Sequence, residues 1–382
     1  MDCLVIGAGL SGSVIARYLA ENHKKQVCVW ERRAHIGGNM YDYVDKHHIR
    51  VQKYGPHIFH TNSKDLFSYM QQYVEMTPFD LTYNTYMEGI YTDTPFNFKT
   101  IDDFYTKSDA QILKERIRKY FGNKSEVSIL ELLESTDILI KEYAEFLYEK
   151  DYKPYTSKQW GIPANEIDPS ILERVKIKLS YSNRFFDDIY QAVPYEGYTS
   201  FFETLLNHPN ITVVTGKDAL ESVCISEKTG SVLVDGSVLD IPVIYTGALD
   251  ELFGMDEGAL PYRSLTFKWY YEEIEEKQTA AVVAYPQARG YTRITEFKKL
   301  PIQNVVGTSY AVEYPVQYKP NVKQEPYYPI LTDASIALSN QYKKRASKIT
   351  NLYVCGRLAD FKYYNMDQAL ERALYVCSTI HI

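Results

Sequence analysis

Residues 1–12 read MDCLVIGAGLSG, and this stretch limits the possible folds more than any other. The apolar run from Asp2 to Ile6 predicts a short buried strand. Gly7-Ala8-Gly9-Leu10-Ser11-Gly12 follows as a G-x-G-x-x-G turn, and Val14, Ile15, Tyr18 and Leu19 continue at helical spacing. Gln26 to Trp30 predicts a second strand ending at Glu31, 19 residues after Gly12. Strand, glycine turn, helix, strand and acid together make the pattern of a dinucleotide site. Gly7 suits the tight turn, Gly9 lets backbone approach a diphosphate, and Gly12 lets helix and strand pack closely. The helix N-terminus, with Ser11 on it, offers free N–H groups to phosphates. Glu31 can accept hydrogen bonds from a ribose.

The segment ERRAHIGGNMYD then separates the cofactor classes. Gly37, Gly38 and Asn39 place a second glycine pair just beyond Glu31. NAD enzymes have no usual need of one. Flavoproteins built like glutathione reductase often have it, where the chain turns back over the FAD. FAD is therefore preferred over NAD. Arg32 and Arg33 could meet a 2′-phosphate, which keeps NADP as a minor alternative.

At 382 residues the chain exceeds one simple core and predicts two or three domains. Apolar residues at 45% and charged residues at 24% describe an ordinary globular protein. No run of 18 apolar residues predicts a membrane span, and the first residues read as a strand, not a signal peptide. Cys3, Cys28, Cys224, Cys355 and Cys377 stand singly, without metal-type spacing, as expected of reduced thiols in the cytoplasm. A net charge of −7 argues against a nucleic-acid partner. His57 and His60, in KYGPHIFHTNS, lack a carboxylate or cysteine companion, so no metal is expected. They read equally as cofactor-facing groups or core histidines.

Farther along, residues 81–99 alternate around Glu88-Gly89 and predict a hairpin. Residues 100–150 carry helical spacing and a capping box from Ser128 to Glu131, predicting a helical insertion of about 90 residues. Pro154, Gly161, Pro163 and Pro169 predict irregular chain over 153–170. Arg174 reads, on composition alone, as a solvated helix residue. Short β segments recur over 211–247 and 263–313, a helix is expected over 333–346, and Leu352–Cys355 is a last strand. That strand runs into Gly356 and Arg357, and a helix from about Met366 points its positive N-terminus back toward the first turn. The expected class is α/β. A Rossmann-like, glutathione-reductase-like FAD domain is drawn from 1–80, 195–262 and 345–382. The helical domain covers 100–194, and a mixed or antiparallel sheet domain takes 81–99 and 263–344.

The stretches VIGAGLSG, HIGGN, YGPHIFHT, YTSKQWG, VIYTGALDELF, YRSL, YTRITEFK, EPYYP and GRLADFKYYNMDQAL occur together and in this order. The set resembles the UDP-galactopyranose mutase family, of prokaryotic type, over essentially the whole chain. The first stretch is generic, whereas YTSKQWG, YTRITE and the C-terminal run are specific. The resemblance implies an isomerase that interconverts UDP-galactopyranose and UDP-galactofuranose without net redox change. It implies FAD in the reduced form, whose N5 attacks the anomeric carbon and gives a flavin–sugar adduct. A cellular reductant such as NAD(P)H, a homodimer and galactofuranose biosynthesis for a cell-surface polysaccharide are implied with it.

By the same resemblance Arg174 and Arg293 clamp the diphosphate, Arg174 on a mobile loop. Tyr155 and Trp160 meet the uridine, and Tyr327 and Tyr363 bond phosphate or sugar. Asn97 and Arg263 line the pocket. Arg357 lies by the FAD and the sugar, and His57, Ile58 and His60 lie near the flavin ring. Gly7, Gly9, Ser11, Gly12, Glu31, Arg32, Gly38, Asn39, Gly356, Tyr363, Met366 and Asp367 complete the FAD site. Two positions depart from the family: Phe185 stands where many members have tyrosine, with Tyr181 as a possible substitute hydroxyl, and Asn365 where many have aspartate. Two other classes stay open: a redox flavoenzyme of amine-oxidase type and a non-catalytic FAD-binding protein.

Overall fold

The structure, a computed structural model, describes residues 1–161, 163, 169–173, 175–320, 322 and 324–380. Arg174, called above as a diphosphate clamp, lies outside them. A parallel sheet forms first, from β1 (Cys3–Ile6) and β2 (Val27–Glu31) with the connecting helix α1 (Leu10–Asn22). Later segments extend it, in the order 211–215, β2, β1, 243–245 and 352–354, all parallel. The β1 residues are buried on both faces, which explains why CLVI shows no alternation.

One face is covered by α1 and the helices Tyr198–Leu206 and Met366–Thr379. Val14, Ile15 and Leu19 pack there with Phe201, Phe202, Leu205, Leu370 and Val376. The opposite face buries Tyr245, Leu249, Leu252, Tyr342 and Phe361. The helix Asp333–Ala346 therefore packs against the parallel sheet through Tyr342 and Ala346, although the sequence reading grouped most of it with the second sheet.

The second sheet has seven strands in the order 328–329, 262–272, 308–317, 293–296, 282–284, 83–87 and 90–93. It is antiparallel except where Val282–Ala284 runs parallel to Tyr83–Met87. The expected hairpin is present, with Glu88 and Gly89 both at positive φ in its turn. Between the strands lies a helical segment from Phe98 to Trp160, with a core of Phe98, Leu113, Ile117, Leu132, Tyr143 and Leu147. Its helices start at side-chain caps: Asn97, Thr106, Ser128 and Asp137 each accept from the first turn. The Ser128–Glu131 capping box forms as read.

The expectation of irregular chain from 153 onward fails over its first eight residues. A π-turn, Tyr148–Tyr152, leads into the helix Lys153–Trp160. Pro154 sits in the first turn of that helix, where a missing N–H costs least. Gly161 ends the helix in a left-handed conformation. Among the described residues no helix is long and apolar enough to cross a membrane.

The contact that sets α1 against β1 is testable. A Cβ on Gly12 would lie 2.0 Å from the Gly7 carbonyl oxygen. Gly12→Ala is expected to push α1 off its turn and cost about 1–3 kcal/mol. The measurement is the urea unfolding midpoint, and an unchanged midpoint would show that α1 shifts freely.

Candidate active site

The turn after β1 builds the first end of the site. Gly7 adopts φ +106°, and a Cβ there would meet the Thr246 hydroxyl at 2.1 Å. Gly9 is the N-cap of α1 and offers no side-chain cap, so the first N–H groups of the helix stay open. The Glu31 carboxylate accepts from Ala8 N at 2.8 Å and from Arg33 N at 2.9 Å. Gly38 crosses so closely that its Cβ would lie 3.0 Å from the Gly9 Cα, and Gly356 would place one 3.3 Å from the Ser11 hydroxyl. These glycines leave a trough that side chains would fill. Arg33 donates to Asn39 and Glu325 and covers the Tyr54 ring, while its buried Nη1 has no partner. A bare helix N-terminus, a glycine trough and an orphaned guanidinium nitrogen fit a dinucleotide diphosphate. Glu325 also pairs with Arg32, which Glu251 holds from the other side. Acids beside both arginines oppose a 2′-phosphate and count against NADP.

In the middle, His57 Nδ1 bonds to Gly55 O at 2.8 Å. Burial pushes the His57 pKa down to about 4, with Arg357 and Arg293 adding to the effect and the Gly55 bond opposing it. His60 Nδ1 meets Asp188 Oδ2 at 2.8 Å, and its ring stacks on Phe186 with centroids 3.7 Å apart. Arg357 lies over the Tyr328 ring, and Tyr328 stacks on Tyr363.

At the far end Arg293 Nε donates to Glu313 Oε2 at 2.7 Å. Burial works against the Arg293 charge, but Glu313 and nearby tyrosines more than offset it and hold its pKa above the ordinary value. Arg263 lines this end while donating to Lys158 O and Gln159 O, so it caps the carboxyl end of the helix Lys153–Trp160. Phe185 stacks on Tyr83, whose hydroxyl bonds Tyr155.

A single cavity of about 870 Å³ joins the three parts. It is lined by Gly7, Gly9, Ser11, Glu31, Arg32, Gly38, Asn39, His57, Ile58 and His60. Tyr155, Trp160, Phe185, Arg263, Arg293, Gly356, Arg357, Tyr363 and Met366 line it as well. Several expected residues are elsewhere. Asn97 is buried as the cap of the helix Phe98–Phe104, bonded to Lys99 N, Asp93 and Ser182 O. Tyr327 is buried beside Tyr54 and Phe267, and its neighbour Tyr328 faces the cavity instead. Gly12 acts through packing, and the Asp367 side chain accepts from Gln368 N at the helix end. The Tyr181 hydroxyl is held by Asp102 and Lys114, so it does not replace a hydroxyl at Phe185. Tyr328, Glu313, Asp188 and Asp151 were missed. Only Tyr328 lay in a stretch already singled out, EPYYP, and nothing in that stretch says which of its two tyrosines faces the cavity. Among the described residues no cluster of His, Cys, Asp or Glu could hold a metal.

The family UDP-galactopyranose mutase matches residues 150–363, and an NAD(P)-binding Rossmann-like domain matches 5–73. A UDP-galactopyranose mutase of Mycoplasma genitalium is 37% identical over 377 residues, covering 97% of this chain and 92% of the relative. The chain belongs to the UDP-galactopyranose mutase family. The family is an isomerase family, and membership carries pyranose–furanose interconversion of a nucleotide sugar. A dTDP-fucopyranose mutase of Escherichia coli is 32% identical, covering 99% of this chain and 98% of the relative. In fold, the chain resembles a crystal structure of reduced UDP-galactopyranose mutase with a TM-score of 0.70 at 15% identity, covering 99% of this chain and 94% of the other. It also resembles a putrescine oxidase at 0.57 and 12%, covering 99% and 98%. The shared architecture is of flavoprotein type.

The His57 shift has a consequence for stability. The folded pKa lies below the ordinary 6.5, so between these values the unfolded chain binds a proton that the folded chain refuses. Stability is therefore lost as pH falls from about 6.5 to about 4. His57→Gln should flatten that slope in urea midpoints measured across the window. Parallel curves for both proteins would remove His57 as the source.

Proposed function

We propose that the chain interconverts UDP-galactopyranose and UDP-galactofuranose with FAD bound in its reduced form. The observation that carries this reading is the continuity of the cavity from the Gly7–Gly12 turn to Arg293, Tyr155 and Trp160, in a member of this family. In this reading the glycine trough, Glu31 and Arg33 hold the dinucleotide. His57, Ile58, Gly356, Arg357 and Met366 face its reactive end. When bound and reduced, FAD supplies N5 as the nucleophile for the anomeric carbon, with no net change in oxidation state.

The remaining work belongs to side chains of this protein. Arg293 meets the negative charge that grows on the departing diphosphate, and Arg174 is its partner in this role. Tyr155 stacks on the base, and Trp160 closes that end. Tyr328 takes the place first given to Tyr327, beside Tyr363 and Arg357. With Nδ1 engaged by Asp188, His60 keeps Nε2 for the sugar side. Each turnover leaves the FAD reduced, as it began, so a cellular reductant such as NAD(P)H is needed only to bring oxidised FAD into the cycle. Five free cysteines fit a reducing cytoplasm.

A second reading is favoured by the dTDP-fucopyranose mutase relative: a dTDP-6-deoxyhexose as substrate. Dithionite-reduced, anaerobic protein should convert UDP-galactofuranose to the pyranose, and oxidised protein should be nearly inert. Equal rates in both states would refute the role of reduced FAD. Turnover of dTDP-fucofuranose in place of the UDP sugar would decide for the second reading. Arg293→Ala is expected to lower kcat/KM about 100- to 1000-fold. Arg293→Lys, which keeps a cation opposite Glu313, controls for folding. Near-normal turnover by the alanine variant would show that Arg293 is not the clamp.

A further inference from the structure

We propose that Asp151 reads the imide edge of the substrate's pyrimidine base, the N3–H and the adjacent carbonyl shared by uracil and thymine. The inference rests on the nucleotide-sugar reading above and adds a specificity-determining residue to it.

Asp151 lies in the π-turn Tyr148–Tyr152, a local widening of the helix that recurs at functional sites. From there a single stripe faces the cavity: Asp151, Tyr152, Tyr155, Thr156, Gln159 and Trp160. Asp151 and Tyr155 are four residues apart and so are neighbours on one face. A base stacked on Tyr155 would therefore turn an edge toward the residue one turn earlier. The Thr85 hydroxyl bonds the Asp151 carboxyl and lies 2.8 Å from the Thr94 hydroxyl.

No cation among the described residues neutralises this acid. Lys158 is the nearest candidate, but its ammonium donates to three carbonyls, Tyr285 O at 2.8 Å, Ala288 O at 2.8 Å and Tyr291 O at 2.9 Å. Its three protons are thereby used. Burial pushes the Asp151 pKa up to about 7, with Thr85 and Lys158 pulling it back. A carboxyl kept without an ion-pair partner in a ligand cavity costs stability, which marks it as functional. In its neutral form it presents one O–H donor beside one C=O acceptor. The imide offers the complement, an N–H donor beside a C=O acceptor. Ribose or hexose hydroxyls do not require that paired arrangement.

The test compares wild-type protein, Asp151→Asn and Asp151→Leu, each loaded with FAD, using UDP, N3-methyl-UDP and inorganic pyrophosphate as probes in calorimetric titrations. Wild type should bind UDP roughly tenfold tighter than N3-methyl-UDP, as expected for one lost hydrogen-bond pair. Asp151→Asn, whose amide also has donor and acceptor, should keep that ratio. Asp151→Leu should bring it close to one while leaving pyrophosphate affinity unchanged. An unaltered ratio in Asp151→Leu overturns the proposal, as does a weaker pyrophosphate affinity of the same size. If wild type binds UDP no better than pyrophosphate, the nucleotide reading falls, and this inference falls with it.

Discussion

The Glu31 carboxylate bridges two backbone N–H groups, Ala8 in the turn after β1 and Arg33 just after β2. β1 and β2 run side by side, with Ile6 opposite Trp30, so their ends emerge together. The carboxylate ties those two exits into one surface. It is nearly fully buried, which would be costly for an unpaired charge; two charge-assisted bonds offset that cost. The bridge also fixes where the chain after β2 can turn back, and that turn brings Gly38 across Gly9. The trough exists because two backbones without side chains cross at this point. Its remaining length follows from Gly356, which comes two residues after the strand Leu352–Val354 of the same sheet.

The opposite wall obeys a different constraint. Arg293 and Glu313 are direct cross-strand partners in the antiparallel sheet, and the ion pair is a product of that register. A slip of one residue in either strand would put the two side chains on opposite faces. The sheet thus delivers one half-buried, oriented cation to the cavity. The helix Lys153–Trp160 closes the end by anchoring to the same sheet: Arg263 caps its carbonyls, and Lys158 reaches the loop at Tyr285–Tyr291.

Features set by neighbours in sequence were legible. The strand–turn–helix unit, the Ser128–Glu131 box and the Glu88-Gly89 hairpin each follow from a few adjacent residues. Misreadings arose where tertiary packing overrode a local sign. Pro154 reads as a breaker but is harmless in a first turn. Asn97, a pocket residue by the family resemblance, instead caps a helix with its Oδ1 and donates its amide N–H groups to Asp93 and Ser182 O. In EPYYP, which of two adjacent tyrosines faces the cavity depends on the pairing of residues 262–263 with 328–329, which the sequence does not state. Glu313 and Asp188 are partners across long separations, and no spacing pattern announces such pairs.

The chain carries a net charge of −7, yet its proposed ligands are anionic, so local cations must do the attracting. Most cations around the cavity are already committed. Arg32 is held by Glu251 and Glu325, Lys178 by Asp187 and Arg184 O, and Arg263 and Lys158 serve carbonyls, while Arg33 shares Glu325 and keeps one nitrogen open at the glycine trough. Arg293 differs in degree. Among the described residues it bonds Glu313 through Nε alone, which leaves the terminal nitrogens to the cavity it lines. A fully unpaired buried arginine would be expensive, and one locked on both sides would be inert. Pairing on one edge keeps the charge affordable while the other edge can take a diphosphate in bidentate fashion. In the role proposed for it, Arg293 would attract a diphosphate without the excess charge that would trap it. A reaction whose leaving group must also return, as pyranose–furanose interconversion demands, is served by that balance.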